Sequence, residues 1–146
     1  MNTKLILLVE DNENDELLML RAFKKNQITN RVVVARDGDE ALDYLFSTGV
    51  YAGNKTEELP HLILLDLKLP KINGHEVLKR LRTNPLTKYI PVVVLTSSTE
   101  EKDIINSYDS GANGFVQKPV DFNEFVEVAN QLGVFWLAVN RTVYPK

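Results

Sequence analysis

Five short runs of apolar or β-branched residues punctuate the chain: Leu5 to Val9, Val32 to Ala35, Leu62 to Leu65, Val92 to Leu95 and Gly114 to Gln117. They are apolar at consecutive rather than alternate positions, which suits strands buried on both faces. The segments between them have helical spacing instead, as in Ala41, Leu42, Leu45, Phe46, then Val77, Leu78, Leu81, then Phe122, Phe125, Val126, Ala129, Leu132. Each such stripe covers one side of a helix. Asp37 with Glu40, Ser98 with Glu101 and Asp121 with Glu124 each set a capping residue three positions ahead of a glutamate, a helix-start pattern. Strand and helix therefore alternate five times. Parallel neighbours need crossover connections of one hand, so the order predicts an α/β domain whose parallel sheet carries helices on both faces.

At 146 residues the chain is long enough for one continuous core. A formal net charge of -3 offers no basic surface, so no nucleic-acid partner is expected. The absence of cysteine leaves no disulfide framework or thiolate metal site and fits a reducing compartment. Lys4 precedes only the apolar Leu5 to Val9 before Glu10 and Asp11, far short of a signal core or a membrane span. The protein is accordingly expected in the cytoplasm, away from membranes. Ser47 to Pro60, with Gly49, Gly53 and Asn54, is long for a connection and reads as an inserted surface loop.

Ligands of such sheets bind beyond the carboxyl ends of the strands. There the first run ends in Glu10-Asp11, the third in Asp66, the fourth in Thr96 and the fifth in Lys118-Pro119. Three carboxylates on one edge repel, each pair about 4 Å apart costing roughly 4 kcal/mol at an effective dielectric near 20. One lysine cannot neutralise three acids. A hard divalent cation can, because Mg²⁺ takes one or two carboxylates, a carbonyl and waters while leaving room for phosphate oxygens. Taken singly, each residue has a plainer reading. Asp66 can be a turn former, Glu10-Asp11 first-turn acids facing a helix dipole, Thr96 a satisfied hydroxyl, Lys118 a solvated lysine and Pro119 a strand stop. Their joint arrival at successive strand ends is what favours a site. His61 and His75 are single and receive no catalytic role.

With these residues in place, positions 4 to 135 resemble the receiver domains of two-component response regulators. The resemblance implies one receiver domain over residues 1–146, with 136–146 as a C-terminal extension. It also implies a flavodoxin-like, doubly wound five-stranded sheet in the order 2-1-3-4-5 with five helices. Asp66 would accept the phosphoryl group. Glu10 and Asp11 would help hold Mg²⁺, with Asp11, Asp66 and the carbonyl of Lys68 as ligands. Thr96 would be the phosphate-sensing hydroxyl, Lys118 the phosphate-binding lysine, and Phe115 the aromatic switch residue, a position where Tyr is also common. The Lys118–Pro119 peptide would be cis. The loop, the stretch Asp66-Leu67-Lys68-Leu69-Pro70 and Phe135-Trp136-Leu137 look most like the small stand-alone regulators of phytochrome-type histidine kinases.

Such a regulator is a signalling switch rather than an enzyme, assisting only its own phosphorylation and aspartyl-phosphate hydrolysis. Its expected partners are a sensor histidine kinase and an unnamed downstream protein. A homodimer is a further expectation, through the fourth helix with Ile104, Ile105 and Tyr108, the fifth strand and the fifth helix, with Phe135 and Trp136 as anchors. The alternative for those aromatics is that the tail folds back on its own core. A flavodoxin-type electron carrier would share the fold but would need an anion-binding loop where this chain has Glu10, Asp11, Glu13 and Asp15. An aspartyl phosphatase would want an acid two residues after Asp66, where Lys68 stands. The complete acid, hydroxyl and lysine set also argues against a degenerate receiver used only for binding.

Overall fold

The apolar runs pair as one parallel sheet in the order β2-β1-β3-β4-β5. The computed structural model describes residues 4–52 and 59–141. The strands are β1 (Ile6–Val9), β2 (Val32–Ala35), β3 (Leu62–Leu65), β4 (Val92–Thr96) and β5 (Gly114–Gln117). Between and after them run α1 (Glu13–Lys25), α2 (Gly38–Phe46), α3 (Gly74–Thr83), α4 (Glu101–Asp109) and α5 (Phe122–Leu132). The three inner strands β1, β3 and β4 are buried at every position, whereas the edge strands β2 and β5 are mostly half-buried. This is the burial that consecutive apolar residues require.

The sheet divides the core in two. Leu5, Leu7, Val9, Ile63, Leu65, Val92 and Val94 face α2 and α3, with Val77, Leu78 and Leu81 packed onto them. Ile6, Leu8, Leu62, Leu64, Val93 and Leu95 face α1 and α5 through Met19, Ala22, Phe23, Phe125 and Ala129. Each fully buried aliphatic side chain contributes about 1.5–3 kcal/mol, so the strands are the least movable part of the molecule.

Helix starts follow the expected caps in two cases. Asp37 accepts the Glu40 N–H at 2.7 Å and Asp121 accepts the Glu124 N–H at 2.9 Å. The Ser98–Glu101 pair does not form a cap. There α4 starts after Glu100, which makes no side-chain capping bond, and Ser98 Oγ instead accepts the Glu100 N–H and donates to Asp103 Oδ2 at 2.5 Å. Serine favours such local turns as readily as caps. Asn12 and Asn73 cap α1 and α3, each accepting the N–H three residues on at 3.0 Å.

The long connection begins with a 3-10 turn at Gly49–Tyr51, pinned by an edge-on contact of Tyr51 with Tyr44 at 5.2 Å. Gly53 and Asn54 lie outside the described residues. Beyond α5 the chain continues as a π-helical tail, Gly133–Val139. The tail does turn back on the core: Leu137 is buried, Trp136 packs on the α1/α5 face, and the Leu137 carbonyl accepts Lys4 Nζ at 2.5 Å. Val134, Phe135 and Val139 stay about half exposed. No helix among the described residues is long and apolar enough to cross a membrane.

Candidate functional site

Strand register builds the site. Val9 pairs with Leu65, so the next residue on each strand, Glu10 and Asp66, emerges side by side. The ladder extends one step past both strands, because the Glu10 N–H donates to the Ala35 carbonyl at 2.9 Å and the Asp66 N–H to the Val9 carbonyl at 3.1 Å. Both carboxylates are thus carried on backbone that is already hydrogen-bonded. Their residues are buried, whereas Asp11 is exposed. Gly74 keeps the loop after β3 close, since a Cβ there would sit 2.4 Å from the Asp66 carbonyl oxygen and 2.8 Å from Leu67 Cα.

From the next strands, the Lys118 N–H donates to the Thr96 carbonyl at 2.7 Å, holding the end of β5 against β4. Its side chain then crosses to the acids. Nζ lies 2.8 Å from Glu10 Oε1, 2.8 Å from Asp15 Oδ2 and 2.9 Å from Asp66 Oδ2. Only 9% of the lysine side chain is exposed. Burial disfavours its charge, but the hydrogen bonds to Asp15, Glu10 and Asp66 more than offset that and hold its pKa above the ordinary lysine value. Glu10 goes the other way for a carboxylate. Burial, opposed by Lys118 and aided by the charge of Asp66, pushes it up to about 7.

One oxygen from each of Glu10, Asp11 and Asp66 lies within 4.8 Å of the others. These are hard oxygen donors, and Asp66 Oδ1 has only a long 3.4 Å contact from the Lys68 N–H. The donor set fits a divalent cation of the Mg²⁺ or Mn²⁺ type. Lys68 follows two residues past Asp66 with its side chain exposed. Thr96 is fully buried, and its Oγ1 accepts the Ser98 N–H at 3.4 Å. Phe115 pairs with Val94 and packs, partly buried, against the α2/α3 core rather than among the acids.

One expectation is overturned: no peptide bond among the described residues is cis, so Lys118–Pro119 is trans. An X–Pro bond prefers trans by about 0.5–1 kcal/mol, and here the trans form already delivers every Lys118 contact. One participant went unrecognised as such in the sequence. The sequence sets Asp15 only among acids that repel an anion, yet in the structure it is a direct partner of Lys118. Its position four residues after Asp11, one turn along a helix capped by Asn12, is the signal that could have placed it at this edge.

Comparison with known proteins agrees with this geometry. Residues 6–130 match the response regulator receiver domain. The response regulator Rcp1 of Synechocystis sp. is 40% identical over 92% of this chain and 89% of its own, and its Mn²⁺-bound structure superposes with a TM-score of 0.86 at 38% identity, covering 98% of this chain and 99% of that one. The phosphorylated cyanobacterial phytochrome response regulator RcpA superposes with a TM-score of 0.88 at 40% identity, covering 97% and 99%. The bacteriophytochrome response regulator AtBRR is 52% identical with a TM-score of 0.76, covering 97% and 100%. The chain belongs to the response regulator receiver family, whose work is the phosphorylation-dependent signalling of two-component systems.

Proposed function

We propose that Asp66 is the phosphoryl acceptor and that its donor is the phosphohistidine of a phytochrome-type sensor histidine kinase, with Mg²⁺ held by Glu10, Asp11, Asp66 and the Lys68 carbonyl. The observation that carries the reading is the convergence of Lys118 Nζ and the acid cluster on the Asp66 carboxylate. Bound there, Mg²⁺ would supply the charge compensation that phosphoryl transfer mainly requires. An Asp66 oxygen attacks phosphorus in line, the phosphorus–nitrogen bond breaks, and the electron pair returns to the histidine of the kinase. Lys118, already 2.9 Å from that carboxylate, donates to a phosphoryl oxygen. The buried backbone of β3 keeps the nucleophile from retreating.

The Thr96 hydroxyl accepts only a long 3.4 Å contact from the Ser98 N–H, which leaves its own O–H to donate to the new phosphoryl group. Thr96 Oγ1 moves inward, and Phe115 fills the space it leaves, changing the surface of α4, β5 and α5. Residues 1–146 serve as one receiver domain. It acts as a signalling switch, in the cytoplasm where its kinase presents the phosphohistidine, and passes the signal to a separate protein. A homodimer through Ile105, Tyr108 and Phe135, each about half exposed, is the associated assembly.

Asp66→Asn, which keeps the shape and removes the nucleophile, is expected to abolish labelling by a candidate kinase or by acetyl phosphate. Excess chelator should do the same to the wild type. Undiminished phosphorylation in either arm sinks the assignment.

A further inference from the structure

We propose that Asp15 is a positioning residue for Lys118, the carboxylate that keeps this lysine at the acceptor site while a divalent cation occupies Glu10 and Asp66. The inference rests on the metal and acceptor roles of the preceding section and extends them to a residue outside the metal cluster.

A lysine ammonium has three N–H donors and no acceptor. Lys118 places all three, on Glu10 at 2.8 Å, Asp15 at 2.8 Å and Asp66 at 2.9 Å. Glu10 and Asp66 belong to the oxygen cluster that fits a cation, and Asp15 does not. A cation on that cluster draws negative charge away from two of the three partners and sets a double positive charge beside the ammonium. Like charges at this range repel, so a lysine held only by Glu10 and Asp66 would compete with the metal for them. Asp15 supplies a hold that the metal does not consume.

The contact is built rather than incidental. The Asp15 N–H donates to Asn12 Oδ1 at 3.0 Å, and the Asn12 N–H donates to Glu10 Oε2 at 3.1 Å. With Glu10 Oε1 and Asp15 Oδ2 both on Lys118 Nζ, these bonds close a ring through the start of α1. The other first-turn acids go elsewhere, Glu16 to Arg36 at 3.1 Å and Glu13 to the exposed surface. The plainer role for Asp15, a first-turn acid facing the helix dipole, would not depend on Lys118.

That difference sets the test, a double-mutant cycle on the full chain. Wild type, Asp15→Ala, Asp15→Asn, Lys118→Ala and the doubles Asp15→Ala/Lys118→Ala and Asp15→Asn/Lys118→Ala are titrated calorimetrically with Mg²⁺, then with beryllofluoride at saturating Mg²⁺, after thermal melts confirm folding. With Lys118 present, Asp15→Ala should weaken each ligand about tenfold, the scale of one charge-assisted hydrogen bond. With Lys118 already Ala, the loss should shrink to about twofold, the remnant of through-space attraction. Asp15→Asn keeps the carbonyl acceptor and should recover part of the beryllofluoride affinity, and it carries the comparison if Asp15→Ala does not fold. Equal losses with and without Lys118, or no loss at all, overturn the role of Asp15 while leaving the metal site standing. A wild type that binds no Mg²⁺ overturns both.

Discussion

Lys118 gathers three acids around one ammonium, so its removal leaves the buried Glu10 and Asp66 carboxylates adjacent and without their cation. Metal can still neutralise them, so Lys118→Ala is expected to remain phosphorylatable by acetyl phosphate. Without the lysine the phosphoryl oxygens lose their link to β5, and the change in partner affinity on phosphorylation should fall by about tenfold or more. A full wild-type switch in that variant contradicts the role. Gly74 provides a second residue-scale check, because its absent side chain lets the Asp66 carbonyl approach. Gly74→Ala must push the β3–α3 loop outward. It should lower stability by about 1–3 kcal/mol, the usual cost of overpacking, in denaturant unfolding, and slow phosphorylation more than distant mutations of equal cost. The cluster of Glu10, Asp11, Asp66 and Lys118 was visible in the sequence because each follows the end of an apolar run. Asp15 was less visible, since its partner lies 103 positions away and no local pattern links them.

The five helices differ in how firmly they are attached. In α4 only Ser107 is fully buried, Ile104 is half-buried, and Ile105 and Tyr108 are 52% and 50% exposed. With little apolar surface to give up, α4 is the element that would shift under the proposed rearrangement of Thr96 and Phe115. Its far end is restrained by Arg82 at the end of α3, which donates to the Gly111 carbonyl at 2.9 Å, the Ile90 carbonyl at 2.9 Å, the Lys88 carbonyl at 3.0 Å and Asn113 Oδ1 at 2.9 Å. Arg82→Met keeps much of the bulk but strands those acceptors. A loss of about 2 kcal/mol in urea unfolding is expected; a change below about 0.5 kcal/mol would show that the network is only decorative. Strand positions were legible because consecutive apolar residues have no other economical use, and only the ends of β1 and β4 shifted by a residue. Caps were harder. Asn73 with Glu76 obeys the same spacing as Asp37 with Glu40, whereas Ser98 obeys it and forms a different turn, because a serine hydroxyl can serve either geometry.

At the scale of the whole molecule, the acidic cluster and the C-terminal tail lie at opposite edges of the sheet. Acids and lysine cluster where the strands end, while α5 runs back from Asp121 so that Leu137 meets Lys4 where β1 begins. Trp136 is taken up by the molecule's own core, which leaves Phe135, 49% exposed and edge-on to Trp136 at 4.9 Å, as the outward aromatic of the tail. Aromatic anchors of this kind dominate twofold interfaces. Phe135→Asp is therefore expected to lower dimer affinity at least about tenfold in sedimentation without altering the monomer fold. A wild type that sediments as a monomer at high concentration, with and without beryllofluoride, removes the dimer. The seating of Trp136 has an optical consequence as well. It is the chain's one indole, and it sits at the edge remote from Asp66. Its emission should stay level while Mg²⁺ is titrated and change only when the tail itself moves, so a single fluorescence trace separates loading of the acidic edge from a response at the other.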